Sequence, residues 1–101
     1  MIRSQLLRQP GAVAELIRVR PMYQDGVLIG YEVQPGPNPR LFHRLDLHPG
    51  DVVIRINGTP ATPRYRFRLL RIASRAQLID LTLWRHGRPV TLEFSFQSLE
   101  P

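Results

Sequence analysis

Leu47-His48-Pro49-Gly50-Asp51-Val52-Val53-Ile54-Arg55-Ile56-Asn57-Gly58 reads as turn, strand, turn, and the rest of the chain is arranged around it. Pro49-Gly50 breaks regular structure, Val52 to Ile56 is an almost unbroken β-branched run, and Asn57-Gly58 tolerates positive φ where the strand must end. Apolar residues on both faces, Val52, Ile54 and Ile56 against Val53, suit a strand buried in the middle of a small domain.

Upstream of this strand, Pro35-Gly36-Pro37-Asn38-Pro39 breaks the chain. Asn38 before Pro39 has the form of an N-cap with proline at the first helical position. The short helix that follows should carry Leu41, Phe42 and Leu45 inward. Further upstream, Val27, Ile29, Tyr31 and Val33 alternate with Leu28, Gly30 and Glu32, and Asp25-Gly26 predicts a hairpin back to Ile17-Arg18-Val19-Arg20. Pro21 cannot donate to a ladder, so this first strand belongs at a sheet edge or a bulge. Residues 1–9 read as a linker or N-terminal extension ahead of a domain spanning 10–98, with a short helical turn from Ala12 to Leu16.

Downstream, Thr62 before Pro63 is a second helix start, and the helix should run from Arg64 to about Ser74. Its inward stripe is Tyr65, Leu69, Ile72, Ala73 and Ala76, while Arg64, Arg68, Arg71 and Arg75 share another face and Phe67 lies beside them, away from the core. Two strands close the chain: Ile79, Leu81 and Leu83 alternate with polar neighbours, His86-Gly87 turns, and Val90, Leu92, Phe94 and Phe96 alternate again. The order is hairpin, helix, strand, helix, hairpin, an α+β domain with a small, mostly antiparallel sheet or partial barrel capped by two helices. One core is expected from Val52, Ile54, Leu81, Leu83, Leu92 and Phe94 with Leu41, Leu45, Leu69 and Ile72.

Composition narrows the function classes. The 101 residues suffice for one domain with its own core. The absence of cysteine excludes disulfides and thiolate metal sites. No apolar run approaches the ~18 residues of a membrane span, and no signal-peptide pattern opens the chain, which predicts a soluble piece, whole or excised. All fourteen basic residues are arginine, for a net charge of +6. They are spread along the chain with no nucleic-acid-binding motif, so any affinity for nucleic acid is expected to be weak, non-specific and salt-sensitive. The serines lack a nucleophile-elbow context and nothing resembles His-Glu-x-x-His, so no catalytic residue and no cofactor is expected. His43, Asp46 and His48 straddle a helix end and a turn and do not predict a metal site.

Gly30-Tyr31-Glu32-Val33-Gln34-Pro35-Gly36, then Pro39-Arg40-Leu41-Phe42, then Leu45, Leu47 and Pro49-Gly50-Asp51, resembles the periplasmic PDZ domain of general secretion pathway protein C, the inner-membrane component of type II secretion systems. Gly-Asp-Val followed by Asn-Gly is similar to many bacterial PDZ domains, and the element order resembles their circularly permuted fold. Asp46 stands where the family more often has glycine, which suits the left-handed end of a short helix, so either Asp46 adopts that costlier conformation or the loop runs differently. The resemblance implies a protein-interaction module on the periplasmic face of the inner membrane of a Gram-negative bacterium, soluble as this fragment but membrane-anchored in the parent. It would recruit or select secreted proteins or contact other secretion components. A regulatory PDZ domain of a periplasmic serine protease or metalloprotease is the alternative.

PDZ domains bind an extended peptide by adding it to a sheet edge beside a helix. That implies a groove formed by Ile17, Arg18, Val19, Arg20 and Met22 with Arg64, Phe67, Arg68 and Arg71. Capture of a free C-terminus uses a glycine-rich loop before the edge strand. Residues 10–16 hold only Gly11, with Glu15 opposing a carboxylate, so an internal segment or a folded surface is the expected ligand.

Overall fold

The computed structural model describes residues 17–95. The expected linker at 1–9, the turn at Ala12 to Leu16, the loop at 10–16 and Phe96 lie outside the described residues, as does the side chain of Leu41, expected in the core. Five strands run in the order β1 (Ile17–Gln24), β2 (Val27–Pro35), β3 (Val52–Ile56), β5 (Leu78–Arg85) and β6 (Arg88–Ser95), each antiparallel to its neighbour, and the short β4 (Thr59–Pro60) pairs with β3. Helix α1 (Arg40–Arg44) links β2 to β3, and a 3-10 turn (Pro63–Tyr65) leads into α2 (Arg66–Arg75).

Tight turns set the register. Asp25-Gly26, Asn57-Gly58 and His86-Gly87 all have both φ values positive, between 49° and 79°, and each joins two directly paired strands. That conformation matches the twist of a two-residue hairpin, which is why Asx-Gly and His-Gly pairs sit there. Pro49 and Gly50, with Gly50 at φ 92°, form the centre of a type II turn closed by the Asp51 N–H donating to the His48 carbonyl at 3.0 Å.

The core joins Val33, Phe42, Leu45, Leu47, Val53, Ala61, Ile79, Leu81 and Leu83, with Phe42 and Leu83 fully buried. Ile17, Tyr31, Ile56, Ile72, Ala76, Val90, Leu92 and Phe94 pack partly buried against it. The expected core therefore needs correction in its central strand: Val53 is buried, whereas Val52 and Ile54 are only half-buried. The register explains it. Val53 pairs with Leu83 but Arg55 with Thr82, so Ile54 is an extra residue in a β-bulge. The bulge reverses the parity of the strand and brings Val53 and Ile56, three positions apart, to the same core-facing side. The carbonyl of Ile54 is used elsewhere, accepting from Ala61 N–H at 2.9 Å. Beside the bulge, Gly30 of β2 lies so close to β3 that a Cβ there would overlap the Val53 carbonyl oxygen, which excludes every other residue.

Both helix starts differ from expectation by a residue or more. In α1 the His43 N–H donates to the Pro39 carbonyl, which makes Pro39 the residue before the helix and Arg40 the first within it. Thr62 is extended as its position before proline requires, yet it makes no side-chain cap, and regular α geometry begins only at Arg66. The inward stripe of α2 holds: Tyr65, Leu69, Ile72, Ala73 and Ala76 are half-buried, and Arg64, Arg68, Arg71 and Arg75 are exposed.

Candidate functional site

Asp51 is the polar centre of the fold. Its side chain is 2% exposed and accepts three hydrogen bonds: from His48 N–H at 2.8 Å, from Arg85 Nε at 3.0 Å and from Arg85 Nη2 at 2.8 Å. Burial alone would raise the carboxyl pKa. The Arg85 fork and the His48 amide outweigh it, and the group is held below its ordinary value. Hydrogen bonding to Asp51 in turn raises the pKa of Arg85. Arg85 Nη2 also donates to the Asp46 carbonyl at 3.0 Å, so one guanidinium joins β5 to the end of α1 and to the Pro49-Gly50 turn. β2 holds that turn from the other side, with Gly50 N–H donating to Val33 and Val33 N–H donating to Asp51 at 2.8 Å. The requirement for a partner is legible in a lone Asp opening an apolar strand; that the partner is Arg85, thirty-four residues on, is not.

Asp46 adopts φ 58°, the costlier left-handed conformation, so of the two alternatives the loop keeps the course that glycine would give it. It ends α1 in a Schellman arrangement, with Asp46 N–H donating to His43 at 3.0 Å and Leu47 N–H to Phe42 at 3.4 Å, and with buried Leu47 and Phe42 supplying the apolar contact. Among the described residues, His43, Asp46 and His48 form no group able to hold a metal ion, and no helix is long and apolar enough to cross a membrane.

Among the described strands, β1 pairs with β2 alone, which leaves its outer edge without a strand neighbour and explains how Pro21 is accommodated. The candidate groove residues on β1 divide between two faces. Val19 pairs with buried Val33 and Pro21 with core-packed Tyr31, which places Ile17, Val19 and Pro21 on the side of the sheet that holds the core and α2. Arg18, Arg20 and Met22 point to the opposite side, where Arg20 Nη2 meets Glu32 of β2 at 3.0 Å. Ile17 is half-buried against the core, whereas Val19 is 58% exposed.

On the helix side, the guanidiniums of Arg64 and Arg68 lie 5.8 and 5.7 Å from the Tyr65 ring and form one flank of α2. Arg71 continues that flank. Phe67 is 73% exposed and lies opposite the inward stripe, so it crowns the helix and does not line its flank. Sequence reasoning passed over Leu70, which is 54% exposed one turn from Phe67. The apolar alternation that marks Leu69 and Ile72 as inward does mark Leu70 as outward.

No family model matches the chain. Over 57 residues it is 40% identical to type II secretion system protein C of Aeromonas salmonicida, covering 56% of this chain and 20% of that protein. A longer likeness, 30% identity over 88 residues, relates it to type II secretion system protein C of Vibrio cholerae, covering 86% of this chain and 29% of that protein. The chain thus spans less than a third of the curated relatives it matches. Among solved structures, the PDZ domain of EpsC from Vibrio cholerae superposes with a TM-score of 0.73 at 28% identity, covering 94% of this chain and 91% of that one.

Proposed function

Since the chain is a PDZ domain homologous to that of type II secretion system protein C, a protein-interaction module, we propose that it recruits or selects secreted proteins, or contacts another secretion component, on the periplasmic face of the inner membrane. The observation that carries this reading is the β1 edge, which has no strand neighbour among the described residues and presents Ile17 and Val19 on the same side as α2. An extended segment added to that edge gains main-chain hydrogen bonds from Ile17 to Gln24. Val19 then offers an apolar contact, and Arg64, Arg68 and Arg71 offer charge to acidic side chains. Arg18, Arg20 and Met22 contribute backbone to this site but turn their side chains away from it, and Phe67 stands at its margin.

The ligand in this reading is an internal extended segment. Extended peptides taken from exported proteins, titrated against the chain with backbone amide NMR, are expected to perturb Ile17 to Gln24 and the Arg64–Arg68 flank. Val19→Asp should weaken them about tenfold, or 1.4 kcal/mol. The same peptides as free acid and as C-terminal amide should bind equally. A tenfold loss on amidation overturns the internal-segment reading, and perturbations confined to β6 overturn the site itself.

A further inference from the structure

The crest of α2 combines exposed apolar side chains with positive charge that forms no salt bridge among the described residues. Phe67 and Leu70 are 73% and 54% exposed and stand three positions apart, so one turn of helix sets them side by side. At about 100° per residue they lie opposite the half-buried stripe, with Arg66 on one flank and Arg71 on the other. The Arg66 guanidinium lies 5.1 Å from the centre of the Phe67 ring, which keeps the cation on the apolar crest. Between Asp51 and Asp80 the sequence contains Arg55, Arg64, Arg66, Arg68, Arg71 and Arg75 and no acidic residue.

We propose that this crest docks on an anionic lipid surface. Phe67 and Leu70 enter the boundary between headgroups and acyl chains, and Arg66 and Arg71 pair with lipid phosphates. A bilayer interface accepts side chains that project from a convex helix without needing a shaped pocket, and the planar guanidinium fork matches phosphate oxygens two at a time. The helix lies along the surface, with its inward stripe still on the core. The crest adjoins the peptide site, with Arg71 on the flank common to both, but the β1 edge itself takes no part.

The test is co-sedimentation of the full chain with phosphatidylcholine vesicles and with vesicles in which about a third of the lipid is phosphatidylglycerol. Binding is expected only to the anionic vesicles, with affinity falling as salt rises. The double variant F67S/L70S should bind at least about fivefold more weakly with unchanged far-ultraviolet circular dichroism, because both residues are exposed. R66Q/R71Q should lose binding to a similar extent. Three results overturn the proposal: no binding to the anionic vesicles, wild-type binding by F67S/L70S, or displacement from the vesicles by polyglutamate at equal charge, which would identify an acidic polypeptide as the better occupant.

Discussion

At the scale of single residues, the most consequential charged pair is Asp51 with Arg85. Arg85 is only 19% exposed at its side chain, so Asp51→Asn removes one charge and leaves the other partly buried without compensation. The expected loss is about 3 kcal/mol in urea unfolding. The pH dependence has a definite sign. Because folding depresses the Asp51 pKa, the carboxylate's contribution is fully present above its unfolded value of about 3.9 and is lost as pH falls through the folded value. Wild-type stability should therefore fall more steeply than that of Asp51→Asn as the pH drops below the ordinary carboxylate range and the carboxylate takes up its proton. Asp46 offers the opposite case. It bears a left-handed conformation that glycine adopts without steric cost, and its exposed carboxylate gives Arg85 only a weak, solvent-screened attraction. Asp46→Gly is expected to raise stability by about 0.5 kcal/mol, read as a rise of a few degrees in the thermal midpoint.

Among the elements, β3 shows where a sequence pattern stops being informative. The run Val52 to Ile56 is apolar on both faces, so it has no period from which to tell inward from outward, and the bulge at Ile54 then reverses the parity without a glycine to announce it. The strand was legible and its facing was not. Val53→Ala should cost about 2 to 3 kcal/mol, because Val53 is buried opposite fully buried Leu83, and Ile54→Ala about 1 kcal/mol, because Ile54 is half-buried in the bulge. A larger loss at Ile54 than at Val53 in denaturant unfolding would show that the strand alternates regularly in solution, without the bulge. The helices repeat the contrast. The spacing of Leu69, Ile72, Ala73 and Ala76 places one face of α2 inward, but the first turn tightens to 3-10 geometry in which Thr62 makes no side-chain cap.

For the molecule as a whole, the turn chemistry made the architecture readable. Asp25-Gly26, Asn57-Gly58, His86-Gly87 and Pro49-Gly50 each dictate a local reversal, and together they leave few ways to order the strands. The candidate site was less readable, because which side of an edge strand faces a helix depends on pairings with β2 that no local signal specifies. Alternation already sets Ile17 and Val19 on one face of β1 and Arg18 and Arg20 on the other, but only the pairing of Val19 with buried Val33 shows that the apolar pair faces the helix side. The edge position of β1 has a mechanical consequence. A load applied to the chain at Ile17 meets the open end of the β1–β2 hairpin, where Ile17 opposes Pro35, so it separates the ladder one rung at a time instead of shearing all rungs together. β1 would then act as a low-force release while β2, β3, β5 and β6 stay folded around the Asp51–Arg85 tie. Stretched between Ile17 and Ser95 in an optical trap, the domain should yield first by about 3 nm, the extended length of one eight-residue strand, before the rest gives way.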